Sequence, residues 1–218
     1  MGLNHRIIKT IPPQAYDEIG DALGIRRNGV LVFDSEDMTS VMMDCCLYDW
    51  YENGKNLVQR YAEAHPPTPG TNEGYLLQAC LQAKFRILVA QSAVPGAGLH
   101  CRDVLNGGEL FLMDRAFSQS FPCGTVALAT RTISLGEFWM TGGAGLPIDC
   151  ETDVPAALRQ IESGRREPLE GPAVVALSIV RACLAAGAAD HIAYAVSQAA
   201  PRKPRREPRW PGFKRRRR

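Results

Sequence analysis

At Phe85 the spacing of the apolar residues changes, and that change limits what the chain can fold into. Upstream, Met38, Val41, Met42, Cys45, Cys46 and Tyr48 recur with a 3.6-residue period, so one face of a helix is buried. Downstream, the apolar residues alternate with a period of two, as in strands with one buried face. Phe85–Ala90, Leu99–Leu105, Glu109–Asp114, Gly124–Ile133 and Phe138–Thr141 are five short strands on this reading. Strands at this spacing predict a small antiparallel sheet or barrel. The fold class expected is therefore α+β.

Local signals set the boundaries of the helical part. Pro12-Pro13 breaks any early helix, and Ala15–Leu23 forms a short one. Gly29–Phe33 has strand composition. Ser35 is an N-cap, followed by acids in the first turn of a helix reaching about Tyr51, which Asn53-Gly54 ends. Further helices are expected over Asn56–Ala64 and Asn72–Lys84, separated by the rigid connector Pro66-Pro67-Thr68-Pro69-Gly70. After the strands, Thr152 or Asp153 caps a helix through Ile161, and Pro172–Ala186 and Ala189–Ala199 follow. The organisation predicted is a mainly helical segment over 1–84, the sheet or barrel over 85–148, C-terminal helices over 149–200, and a disordered Arg-rich tail over 201–218. At 218 residues the chain can bury a core of ordinary size.

Charge is the strongest functional signal. The net charge is +2, but residues 202–218 hold ten Lys or Arg against Glu207 alone, giving +9. The remainder carries 15 basic and 22 acidic groups, or −7. Such asymmetry marks an interaction arm. Arg202, Lys203, Arg205, Arg206, Arg209, Lys214, Arg215, Arg216, Arg217 and Arg218 suit phosphate oxygens, which guanidinium forks bind bidentately. Trp210 and Phe213 offer faces on which exposed bases stack. Interspersed prolines keep the arm extended and reduce the entropy lost on binding. The function expected is a non-enzymatic, cytosolic binding protein. Its tail anchors to RNA, DNA or a ribonucleoprotein without sequence specificity, while its body contacts protein partners. Two other classes stand beside it: a metal-dependent or cysteine hydrolase with a site between sheet and helices, and a protein-only adaptor or inhibitor.

Motifs for chemistry are weak. Seven cysteines with no Cys-x-x-Cys pair read as reduced, small apolar core residues. His100 and Cys101 beside Asp103 suggest a nucleophile pair, but adjacent strand residues point to opposite faces. No metal site and no cofactor is predicted. Gly142-Gly143-Ala144-Gly145 lacks the Lys-Ser/Thr of a phosphate loop and reads as a turn. Arg102, Asp103, Asp114, Arg115 and Arg131 are expected at strand ends as ion pairs fixing the sheet, with Phe138 and Trp139 as core aromatics. The N-terminus lacks the layout of a signal peptide, and no apolar run is long enough to span a membrane, so a cytoplasmic location is expected.

Several short motifs occur in a distinctive order: Phe33-Asp34-Ser35-Glu36, Leu47-Tyr48-Asp49-Trp50, Gly54-Lys55-Asn56, Leu76-Leu77-Gln78-Ala79 and Ala83-Lys84-Phe85. Arg102-Asp103-Val104-Leu105, Leu112-Met113-Asp114-Arg115, Leu128-Ala129-Thr130-Arg131 and Phe138-Trp139-Met140-Thr141 follow. With these, Phe33–Ile148 resembles a family of uncharacterised bacterial proteins often carrying a C-terminal SEC-C zinc motif. The resemblance implies no settled activity. This chain has no Cys-x-Cys after Cys183, so it lacks that zinc motif, and the Arg-rich segment stands in its place.

Overall fold

A computed structural model describes residues 2–148 and 171–188. The expected helices over 152–161 and 189–199, Cys150, and the Arg-rich segment 201–218 lie outside the described residues. What is described is an α+β fold in which a helical layer leans on a closed five-stranded barrel.

Leu3–Ile8 forms α1, ahead of the proline pair. Pro12-Pro13 separates it from α2 (Pro13–Leu23) and also starts that helix, with Pro13 in the first turn, where its missing N–H costs nothing. Gly24, at φ 75°, closes α2. A hairpin of β1 (Arg26–Arg27) and β2 (Val30–Leu31) follows. Helix α3 (Glu36–Tyr48) is capped by the Ser35 hydroxyl, which accepts from Met38 N at 3.3 Å. A second hairpin pairs β3 (Tyr51–Glu52) with β4 (Lys55–Asn56). Helix α4 (Leu57–Ala64) begins with a capping box between Asn56 and Gln59, and α5 (Asn72–Leu81) with a Thr71 cap.

Both hairpins turn on Asn-Gly. Asn28 and Gly29 have φ of 52° and 78°, and Asn53 and Gly54 have 55° and 76°. Positive φ at both turn positions matches the twist of the flanking strands. Asn53-Gly54 is therefore a hairpin turn, a correction to its reading as the end of the helix. That helix has already stopped at Tyr48. Trp50 is buried beyond it, with its indole N–H donating to Glu18 at 2.9 Å.

The barrel strands are β5 (Lys84–Val94), β6 (Gly98–Asp103), β7 (Glu109–Met113), β8 (Ala127–Ser134) and β9 (Trp139–Ile148), in the closed order β5-β6-β7-β9-β8. A short helix, α6 (Phe117–Ser120), joins β7 to β8. Every pair is antiparallel except β7–β9, which meet in parallel at Leu112 and Trp139. That parallel bridge corrects the purely antiparallel expectation. It lets the last strand close the barrel beside the third, the connectivity of an OB-type barrel.

Strand β8 is buried on both faces. Leu128 points into the barrel with Leu88, Ala90, Leu99, Cys101 and Leu112. Ala129 and Ile133 point outward into the main core, built around Ile7, Met42, Val58 and Leu77. Helix α5 packs on β8, α3 and α7 (Pro172–Ala185) pack on β9, and α2 is wedged between α3 and α7. The helical layer thus covers the β8–β9 side.

Gly142-Gly143-Ala144-Gly145 lies inside β9, which corrects its reading as a turn. The ladder pairs Thr130 with Gly145 and Thr132 with Thr141, so Gly142–Ala144 bulge out opposite Arg131. A Cβ at Gly142 would lie 2.8 Å from Asp44 Oδ1. Because Asp44 is itself held by Arg131, Gly142→Ala is expected to destabilise the fold by about 1–3 kcal/mol through overpacking. Thermal unfolding of the variant checks this.

Candidate functional site

Two buried arginines organise the junctions of the fold. Arg131, on the outward face of β8, donates from Nε to Asp44 Oδ2 at 3.0 Å and from Nη2 to Asp49 Oδ2 at 2.5 Å. Asp44 lies in the last turns of α3 and Asp49 at its C-cap, so one guanidinium ties the helix to the barrel. The rings of Tyr48 and Phe85 stand 4.6 and 5.8 Å from the guanidinium carbon. Burial works against the charge of Arg131, but Asp44 and Asp49 together hold its pKa above the ordinary value. Burial raises both carboxylates, Asp49 to about 7, and the pull of Arg131 does not offset it.

Arg86 occupies the inside of the barrel. Its Nε donates to the Thr132 hydroxyl at 2.9 Å, its Nη1 is paired with Asp103, and its guanidinium lies 4.5 Å from the Trp139 ring centre. Asp103 also accepts from the backbone N–H groups of Leu105 and Asn106, each at 2.9 Å, which fixes the β6–β7 turn. Burial works to raise the Asp103 carboxyl, but bonds from Asn106, Arg86 and Leu105 outweigh it and leave the pKa lowered. This turn is held from within the barrel.

The expectation that ion pairs fix the sheet is met by Asp103 and Arg131, with partners that the reading did not name: Arg86, Asp44 and Asp49. Arg131 sits in mid-strand, where its outward side chain reaches Asp44 and Asp49 at the end of α3. Asp114 instead accepts from Phe117 N at 2.9 Å and starts α6. Trp139 and Phe138 are both half-buried, and Trp139 packs against the barrel interior.

Cys45, Cys46, Cys80, Cys101 and Cys183 are buried and unpaired, and Cys123 is exposed. Burial pushes the five buried thiols up, Cys101 to about 11 and Cys46 and Cys183 to about 12. Thiols so placed hold their protons and serve as core residues. His100 is exposed while Cys101 faces the interior, so the two cannot act as a pair. Among the described residues, no group of three His, Cys, Asp or Glu side chains converges on a metal position. Nor is any helix there long and apolar enough to cross a membrane.

The solvent-facing side of the barrel lies on β6 and β7. His100 and Arg102 alternate outward between buried Leu99, Cys101 and Asp103. Across the ladder they pair with Phe111 and Glu109. The His100 and Phe111 rings are 5.0 Å apart and tilted by 59°. Exposed Met113 continues this side, and Arg102 has no ion pair with another described residue. Only the inward–outward alternation of Leu99–Asp103 pointed to this surface in the sequence. The residues selected there for phosphate and base contact, Arg202, Lys203, Arg205, Arg206, Arg209, Trp210, Phe213, Lys214 and Arg215 to Arg218, all lie outside the described residues.

Fold and site together define an α+β protein whose OB-type barrel is locked to a helical layer by a buried arginine. The chain belongs to the family of unknown function DUF7986, which matches residues 1–153. No curated protein and no solved structure matches it.

Proposed function

We propose that this protein is a non-enzymatic binder of nucleic acid, anchored by Arg202–Arg218 without sequence specificity, and that its barrel receives single strands on the β6–β7 side. The observation that carries the reading is the separation of charge, +9 in residues 202–218 against −7 in the rest of the chain. A dense run of guanidinium groups releases counterions from a phosphate backbone, an attraction that does not depend on base sequence. The barrel adds a second support. OB-type barrels use the side formed by their second and third strands to hold oligonucleotides, and here β6 and β7 take those places. Their outward residues include two aromatic rings and an arginine, the groups on which unpaired bases stack.

A cytosolic location, the ribonucleoprotein as an alternative form of the partner, and a protein contact through the body belong to the same proposal. So does the SEC-C likeness, in which the Arg-rich segment replaces a basic zinc knuckle.

Duplex bases are already stacked, so the barrel contribution is specific to single strands. Phe111→Ala or His100→Ala alone is expected to weaken binding of a labelled single-stranded homopolymer about tenfold, as loss of one base–ring stack would. Affinity for a duplex of equal length should stay unchanged. Fluorescence anisotropy measures both. Equal losses on the two ligands, or none, would remove the barrel from the interface.

A further inference from the structure

We infer that Asp44 and Asp49 share one proton at neutral pH, so that the junction between α3 and the barrel contains a buried proton-binding site. The argument starts from the planar guanidinium of Arg131. Its Nε–H and Nη2–H lie on one edge and point in parallel, the geometry with which arginine grips both oxygens of a single carboxylate. Here the two hydrogens meet oxygens of two different carboxylates, Asp44 Oδ2 and Asp49 Oδ2. Two acceptors on parallel donors of one edge are forced side by side. Like charges so close do not both ionise in a buried setting, and a pair of this kind retains a proton.

The surroundings remove the alternatives. Arg131 is the only ion-pair partner of either carboxylate among the described residues, so full ionisation would leave one uncompensated negative charge. Asp44 Oδ1 is buried with no hydrogen-bond partner, against the bulge at Gly142. From α3 itself, Cys45 and Tyr48 face the pair; from α5, Cys80 stands beside Tyr48. Burial raises all three, so they remain neutral and add no positive charge. Residues of β9 at this point are Gly142, Gly143 and Ala144. Asp49 also sits at the C-terminus of α3, where the helix dipole disfavours a negative charge. The raised pKa of both carboxyls agrees with the geometry. With one proton bound, the centre is neutral: a guanidinium, a carboxylate and a carboxylic acid.

The proton makes the junction pH-sensitive. In the unfolded chain an aspartate titrates near its usual 3.8, whereas the folded pair holds its proton to about pH 7. The native state therefore binds the extra proton throughout this interval, and stability falls as pH rises through it. Below the lower value the contribution is complete, and above the upper one it is gone.

Infrared spectroscopy of the full chain in heavy water reads the proton directly. The wild type should show the carbonyl band of a buried carboxylic acid at about pH 6, fading as the pH passes about 7. Asp44→Asn and Asp49→Asn should each abolish the band, because the one remaining carboxylate is matched by Arg131. Thermal unfolding gives a second readout: relative to Asp49→Asn, the wild type should lose about 5 °C or more between pH 5 and pH 8. Absence of the band in the wild type at pH 6 would overturn the inference, as would its survival in both variants or parallel stability profiles. If either variant fails to fold, the wild-type spectrum still decides.

Discussion

Arg131→Met is expected to cost about 4 kcal/mol of stability at neutral pH, seen as a large fall in the urea midpoint. The substitution keeps most of the volume but leaves the carboxylate and its protonated neighbour without a cation inside the junction of α3 and β8. Removing one member of a buried ion pair is more damaging than replacing the whole set, because the orphaned charge retains its desolvation penalty. A domain with about 5–15 kcal/mol in total would lose a large share of it. The loss should shrink at low pH, where protonation neutralises Asp44 and Asp49. Adding Asp44→Asn and Asp49→Asn to Arg131→Met should restore part of the stability, since neutral amides are cheaper to bury than charges. A fall of less than about 1 kcal/mol at pH 8 would mean that the contact is a passive one, as exposed pairs usually are.

Deletion of residues 202–218 should remove nearly all affinity for nucleic acid at moderate salt. The segment contributes ten cations, and each phosphate neutralised on a single strand adds about −0.7 to the slope of log K against log salt. The full chain is thus expected to show a slope approaching −7 if every basic residue engages, and the truncated chain a slope near zero. The truncated body carries −7, so long-range attraction to phosphate turns into weak repulsion. What remains should be the weak, salt-insensitive stacking at His100 and Phe111. Since the segment lies beyond the family match over 1–153, its removal leaves the residues of that match in place. Circular dichroism of the truncated protein should accordingly retain its helix and strand content.

The sequence announced its local features and concealed its distant ones. Ser35 was legible because caps act within three or four residues, and the structure places its side chain on the N–H group of Met38; the sequence put Asn56 inside its helix, where the structure makes it the cap. The strands were legible because alternation is read along a single segment. Asn53-Gly54 was misplaced for the opposite reason: the dipeptide signals a turn, but whether it ends a helix or joins two strands depends on Asp49 and Trp50, whose partners are far away. The glycines of β9 looked like a turn because composition alone carries no information about what approaches them. In the fold they open space for Asp44 and Arg131, which are 87 residues apart. Arg131 itself was recognised as an ion-pair residue, yet nothing near it in the chain names Asp44 and Asp49. The parallel bridge of Leu112 and Trp139, which closes the barrel, is equally invisible to local patterns.

The buried centre at Arg131 stiffens the junction that presents the barrel. In the function proposed, the cationic segment would supply attraction at a distance, and the outward rings of β6 and β7 contact at short range. Attraction through charge alone would not distinguish a single strand from a duplex; in the proposal, that preference comes from the barrel side.

The most direct measurement is a salt titration of binding to a labelled single-stranded homopolymer, for the full chain and for the chain ending at Pro201. The account requires tight binding by the full chain that weakens by up to about ten-thousandfold between about 50 and 200 mM salt, and little binding by the shortened one. Equal affinities for the two chains, or an affinity indifferent to salt, would contradict it.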